Sequence, residues 1–290
     1  MQIRPAWLRR VTVTGLAAGM LLVLLAACRA PGSGTESPGT GSPGSHEAPA
    51  PDPPASGAWW APAKGTSWQW QLSGPVDTSV DAAVFDIDGE DNTAATVAAL
   101  HAKGSKAICY FSAGSWEDWR SDSSAFPTSV TGQTLDGWPD EKWLDIRQLD
   151  VLLPIMEARI TNCLAKGFDA VEPDNVDGYA NATGFPLTAA DQLAYNKALA
   201  DLAHKHGLGV ALKNDAEQVE ELQPYFDFAV VEECARYNEC DMYTPFTAAG
   251  KAVLHVEYSG TLDSFCPTTT AIGFSSMLKE LDLTAWRETC

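Results

Sequence analysis

The sequence predicts a single (β/α)8 barrel carried behind an exported N-terminal segment. Three observations predict the barrel. After a Pro- and Gly-rich stretch, short apolar runs alternate with amphipathic ones eight times, the pattern of a buried parallel sheet with helical crossovers. The chain they occupy is about 230 residues, the usual length of one such barrel. Two of the apolar runs stop abruptly in carboxylates, at Glu172-Pro173-Asp174 and Glu232-Glu233, where barrel strands deliver reactive groups to the C-terminal face. No Gly-x-Gly-x-x-Gly opens a helix after the first strand, which argues against an open dinucleotide-binding sheet.

At the front, Arg4, Arg9 and Arg10 precede an apolar run, 16–27, that is short for a bilayer span. It closes in Leu25-Ala26-Ala27-Cys28, which resembles the bacterial lipobox. Residues 1–27 are therefore expected to be a signal peptide and Cys28 to carry a lipid. The protein is expected to be exported, anchored to the outer face of the bacterial cell membrane through Cys28 or secreted, with that lipid its one membrane contact. Residues 28–57 are rich in Pro, Gly and Ser with no apolar periodicity, so they read as a flexible tether. The folded domain is placed at 58–290.

The formal charge is −19, and removing residues 1–27, with three arginines and no acid, deepens it to −22. Nucleic acid is excluded as a partner, because phosphate binding needs a basic surface. A cationic polymer suits the charge better, although acidity that serves only solubility is the favoured reading of the overall charge, and a monomer is expected. Of seven cysteines, six remain once Cys28 is set aside: Cys109, Cys163, Cys234, Cys240, Cys266 and Cys290. An even count in an exported domain implies disulfides, though six cysteines allow 15 pairings. Short separations favour Cys234–Cys240 and Cys266–Cys290, leaving Cys109–Cys163. No CxxC or paired-His spacing suggests a metal site.

Strands are expected at 68–72, 82–87, 107–111, 170–172, 209–212, 228–231, 252–256 and 271–274. Helices are expected at 92–102, 151–166, 189–206, 216–223 and 277–283. In the third helix Leu193, Asn196, Leu199, Ala200 and Ala203 keep helical spacing and Gly207 stops it. Gly104 and Gly167 likewise end helices just before strands. The longest non-periodic insert, 112–150, follows the third strand on the catalytic face and carries Trp116, Trp119, Trp138 and Trp143. Large aromatics there suit stacking on sugar rings, and Trp116 and Trp143 are taken as candidates; packing within the loop is the alternative.

Five successive strand ends read Phe85-Asp86-Ile87-Asp88, Cys109-Tyr110-Phe111-Ser112, Glu172-Pro173-Asp174-Asn175, Leu212-Lys213-Asn214 and Glu232-Glu233-Cys234. In that order they resemble glycoside hydrolase family 114, the endo-α-1,4-polygalactosaminidases, over essentially the whole domain. The resemblance implies a (β/α)8 barrel and two carboxylates that cut galactosamine-rich polysaccharide. It assigns those carboxylates to Asp174 and Glu232. The family's usual Asn-Glu-Gln-Cys at the sixth strand departs here to Val231-Glu232-Glu233-Cys234. The extra charge at Glu233 is expected to raise the proton affinity of Glu232.

Glycosidic cleavage needs one protonated carboxyl for the leaving oxygen and one ionised carboxylate to attack or to activate water. Glu232 is taken as the acid and Asp174 as the nucleophile or base, with the reverse open. Asp86, Asp88, Tyr110, Glu172, Lys213, Asn214, Glu257 and Tyr258 are expected to bind substrate around them. No cofactor is expected, because side chains suffice for both proton transfers. Two rival readings stand: a polysaccharide-binding barrel without turnover, and an aldolase that forms a Schiff base on Lys213.

Overall fold

The computed structural model describes residues 59–290. The expected signal peptide, Cys28 and the tether lie outside the described residues. Among the described residues no helix is long and apolar enough to cross a membrane.

The chain begins with β1 (Trp68–Gln71), β2 (Val84–Asp88), α1 (Ala94–Ala102) and β3 (Lys106–Ser112). The insert follows as β4 (Ser115–Glu117), β5 (Thr131–Leu135) and β6 (Trp138–Leu144), a separate antiparallel sheet of order β4-β6-β5. Then come α2 (Leu149–Lys166), β7 (Ala170–Asp174), α3 (Ala189–Lys205), β8 (Gly209–Lys213), α4 (Val219–Leu222) and β9 (Phe228–Glu232). The chain ends with α5 (Cys234–Tyr237), α6 (Thr244–Ala248), β10 (Val253–Glu257), α7 (Leu262–Ala271), β11 (Ser275–Leu278) and β12 (Glu288–Thr289). The large sheet runs β1-β2-β3-β7-β8-β9-β10-β11-β12, parallel throughout except for the last pair. This is the (β/α)8-type barrel the sequence predicts.

Side chains alternate across each strand, and the two faces build two cores. One cluster takes Trp68, Val84, Ile108, Ala170, Ala211, Phe228, Leu254 and Met277, from all eight parallel strands, and fills the barrel. The other joins outward residues such as Phe85, Val171 and Ala229 to Leu100, Met156, Ile160 and Leu199 of the helices. Local signals set the helix ends. Thr188 caps α3 in a capping box with Asp191, and Gly167 ends α2 at φ 90°.

The barrel's seam is different from its other joints. β1 and β11 share no ladder. Instead Trp68 Nε1 donates to the Ser275 carbonyl at 2.9 Å, and the C-terminal segment bridges the gap. Leu72 and Ser73 N–H groups donate to the Leu283 carbonyl, and the Arg287 guanidinium donates to the carbonyl of Trp68.

The last crossover corrects the sequence reading. Residues 271–274 are the end of α7 and its turn, which Gly273 completes at φ 86°; the eighth parallel strand is β11. The Thr run and Pro267 within α7 hide its period from the sequence. The expected helix 277–283 is instead the end of β11, Met277 and Leu278, and an irregular segment with a turn at 281–282. The expected helix 216–223 is a 3-10 turn, Ala216–Gln218, running into α4. Three disulfides join Cys109–Cys163, Cys234–Cys240 and Cys266–Cys290, the pairing favoured from sequence.

Candidate active site

At the C-terminal ends of the strands the barrel opens into a cavity of about 480 Å³, within the roughly 300–1,000 Å³ of small-ligand sites. The alternation that points Ala170, Gly209 and Phe228 inward also points in the residues four further on, Asp174, Lys213 and Glu232. Lys213 Nζ lies 2.8 Å from Asp174 Oδ1 and 2.7 Å from Glu232 Oε2. Its ammonium also sits 5.2 Å from the centre of the Trp70 ring. Tyr110 donates its hydroxyl to Asp174 Oδ2 at 2.8 Å, and the Asn175 N–H donates to Oδ1 at 2.7 Å. Glu232 accepts from Tyr258 OH at 2.5 Å and from Asn214 Nδ2 at 3.1 Å.

Directly after each of these three residues the backbone turns left-handed at a non-glycine residue. Asn175 has φ 61°, Asn214 49°, Asp215 56° and Glu233 53°. Such conformations cost about 1–3 kcal/mol each and persist where surroundings enforce them, commonly at functional sites. Here Asn175 Nδ2 is tied to Ser112 and Ser115, and the Asn214 side chain spans to Glu232 through both its amide atoms. Gly114 is needed opposite the first turn, because a Cβ there would overlap the Asn175 carbonyl.

These surroundings fix protonation. Burial favours the neutral acid at Asp174, but Lys213, Tyr110 and the Asn175 N–H outweigh it and hold the carboxyl below its usual range. Burial likewise opposes charge on Lys213, yet the carboxylates of Asp174 and Glu232 keep it protonated well above its usual range. Beneath them Asp86 and Glu172 are fully buried, and burial drives both upward, so that this pair retains protons. On the cavity wall burial lifts Glu141 to about 7 and Asp177 to about 6, with the charge on Asp174 adding to both.

Asp88, Tyr110, Trp143, Asn214 and Tyr258 stand on the cavity wall as expected, with Asp174, Lys213 and Glu232. Asp88 is already occupied, bonded through both oxygens to Arg120 at 2.9 and 2.7 Å. Four expectations need correction. Asp86 and Glu172 point inward but lie below the cavity, out of reach of substrate. Glu257 is out of phase with Tyr258 and faces outward, accepting from the Ala235 N–H and bonded to His255. Trp116 packs against the outer core and donates to the Ser123 carbonyl, off the cavity. The altered sixth-strand motif is divided between two surroundings. Val231 faces the outer core, and Glu233 is buried with its charge met by Arg236 Nη1 at 2.5 Å.

The sequence reading overlooked Trp70, Arg120 and Glu141, and left Asp177, Trp119 and Trp138 out of the site. Glu141 carried a usable signal, since it shares a face of β6 with Trp143. Lys213 cannot serve as a Schiff-base nucleophile in this setting, because that chemistry needs a neutral amine. One group of potential metal ligands comes together among the described residues: Cys234, Cys240 and His255. Its two sulfurs are joined as a disulfide, away from the cavity.

Residues 49–290 match the model of Glycoside-hydrolase family GH114. Ega3 of Aspergillus fumigatus, solved in complex with galactosamine, is 42% identical with a TM-score of 0.76; the match covers 80% of this chain and 97% of that one. The glycoside hydrolase domain of PelA from Pseudomonas aeruginosa shares the fold, with a TM-score of 0.60 at 12% identity over 79% and 99% of the two chains. No curated protein matches the chain.

Proposed function

The chain belongs to glycoside hydrolase family 114, and from that premise we propose that it cuts internal α-1,4 linkages of galactosamine-rich polysaccharide with Asp174 as nucleophile and Glu232 as acid and base. The observation that carries this reading is the shared ammonium of Lys213. One nitrogen 2.8 and 2.7 Å from the two carboxylates keeps the bridged oxygens no farther apart than those two bonds end to end. That ceiling is no wider than the roughly 5–5.5 Å of retaining enzymes and falls short of the roughly 6.5–9.5 Å an inverting enzyme needs for its water.

The roles follow from the donors. Three donors hold Asp174 ionised, which suits a nucleophile. Tyr258 can accept as well as donate, so it can partner Glu232 in either protonation state. Protonated Glu232 donates to the leaving glycosidic oxygen while an Asp174 oxygen bonds to the anomeric carbon. Glu232, now ionised, takes a proton from water, whose oxygen replaces Asp174 at that carbon. Lys213 keeps both carboxylates placed and stays charged throughout.

Export, with a lipid on Cys28 and residues 28–57 as tether, remains part of the proposal on the strength of the sequence. It would put a single-copy barrel where extracellular polymer is found. Reducing-end release from partially deacetylated galactosaminoglycan tests the whole reading. The parent is expected to release ends whose first-formed anomer is α. Asp174→Asn and Glu232→Gln are expected to lose about 10²–10⁴-fold in kcat or more while staying folded. A parent that binds the polymer and never cuts it would replace this reading with the binding-barrel one.

A further inference from the structure

The turns after Asp174 and Lys213 are tied by side chains at the cavity, but the turn after Glu232 is fastened from outside. β9 and β10 run side by side with Glu232 opposite Val256, so the outward residues of β10 nearest that turn are His255 and Glu257. The Glu233 N–H donates to the Val256 carbonyl at 2.8 Å. Glu257 Oε1 accepts from the Ala235 N–H at 2.8 Å, from His255 Nε2 at 2.9 Å and from the Arg236 N–H at 3.4 Å. His255 Nδ1 lies 3.0 Å from Ser276 Oγ, which is bonded in turn to Thr269 Oγ1 at 2.8 Å. One chain of hydrogen bonds thus runs from α7 and β11 through β10 to the first residues of α5.

Folding alone does not call for this chain. His255 and Glu257 are buried, and replacing buried polar pairs of this kind with apolar residues is often neutral or stabilising. Apolar side chains would fill the same space beside Phe265 and Phe274, whose ring centres lie 5.8 and 6.1 Å from the imidazole. What they would lack is an acceptor for the Ala235 N–H. Between Glu232 and that N–H, Glu233 holds its left-handed φ of 53°. A non-glycine residue keeps such a conformation only where its neighbours impose it. The Cys234–Cys240 disulfide pins the same turn, with both sulfurs within 4.8 Å of a His255 nitrogen.

We propose that Glu257, steadied by His255, is a positioning residue for Glu232: it clamps the turn from the outer side of the barrel and so fixes where that carboxyl stands in the cavity. This rests on the reading of Glu232 as acid and base. Neither His255 nor Glu257 lines the cavity, so the action passes through the backbone. Glu232 must meet the glycosidic oxygen while keeping Lys213, Tyr258 and Asn214. A slackened turn moves it off that point, and a displacement of about 1 Å costs on the order of 10²-fold in rate. Asp174, whose turn is tied through Asn175 to Ser112 and Ser115, keeps its place.

The test compares the full chain with Glu257→Ala, Glu257→Gln and His255→Phe, each checked for folding by circular dichroism. Two substrates separate the roles. Deacetylated galactosaminoglycan has a leaving oxygen that needs a proton. A galactosamine oligomer with a dinitrophenyl group at its reducing end releases a phenolate that needs none, and azide added with it is a nucleophile that needs no base. Glu257→Ala is expected to lower kcat on the polymer about 10²-fold with KM little changed. On the aryl oligomer with azide it should stay within a few-fold of the parent. Glu257→Gln keeps an accepting oxygen and should recover most of the polymer rate. His255→Phe keeps a ring beside Phe265 and Phe274 and should show the same split at smaller size; it decides the matter if Glu257→Ala does not fold. Equal losses on both substrates, or no loss on the polymer, would overturn the positioning role and leave the hydrolase reading standing. A parent that cuts neither substrate would end the hydrolase reading and the positioning role with it.

Discussion

At the N-terminal end of the barrel the inward positions are Val84, Ala170, Gly209, Phe228 and Leu254; four residues on along the same strands they are Asp88, Asp174, Lys213, Glu232 and Tyr258. Backbone geometry and alternation are the same at both levels, yet one level is dry and apolar and the other is a lattice of charge. The lower level has no task but to close the barrel. Because it does so without water, the charges just above it act through a weakly screening medium, where each pairing is worth more than in solvent. Stability and chemistry are thus stacked along single strands of about five residues.

Two substitutions break that comparison at opposite levels, and they carry the largest expected effects. Lys213→Met strips the shared cation from Asp174 and Glu232, and breaking a buried pair from one side costs about 3–5 kcal/mol. Asp174 also loses the chief group that keeps it ionised, so turnover should collapse and the acid limb of any residual activity should move to higher pH. Phe228→Ala, in the apolar level, should cost a similar 3–5 kcal/mol through its cavity. Below its unfolding midpoint it should turn over within a few-fold of the parent. Urea unfolding paired with reducing-end assays decides the matter. Equal activity losses in the two variants would mean that the levels are not separable.

The two levels were not equally legible in the sequence. Apolar runs, their stops and the strand-end carboxylates locate Asp174, Glu232 and Tyr258, because a period of two needs only neighbouring residues. The same alternation places Glu257 outside, out of step with Tyr258. What spacing cannot encode is a bond across strands. Lys213 reads as one substrate-binding group among several, but that it bridges β7 and β9 depends on barrel curvature. Glu141 enters the wall only when β6 folds back over the mouth, and α7 hides behind threonines that suit a strand as well.

A smaller effect, from acids in the insert and beyond the strand ends, is the pH dependence of stability. Glu141 is raised from 4.5 to about 7, Asp177 from 3.8 to about 6 and Asp215 from 3.8 to about 8, burial being the first cause in each. The folded state therefore holds protons that the unfolded chain has released. Their contribution is fully present below about pH 4 and is lost as pH rises through 6 to 8. Asp174 works the opposite way, losing its contribution only as pH falls below its ordinary value of 3.8. The melting temperature should peak in mild acid and drop by several degrees toward pH 8.5. Asp215→Asn should flatten that slope, and a curve that rises across the interval would contradict the assignment.

The smallest effect sits at the outermost level, where the insert meets solvent. Trp119 and Trp138 are 54% and 46% exposed, yet both stand on the cavity wall. Half-bare indoles add little to folding, so Trp119→Ala and Trp138→Ala should change stability by no more than about 0.5 kcal/mol. An indole face that stacks on a sugar ring contributes roughly 0.5–1.5 kcal/mol, a few-fold in affinity. KM for long chains should therefore rise a few-fold, while oligomers too short to reach the insert should be cut as before. The contrast in chain length matters more than either value. A loss equal for long and short substrates would move the tryptophans inward to the cleavage point. An unchanged KM with a lowered melting temperature would make them packing residues, and the charged level would then be the outer limit of the site.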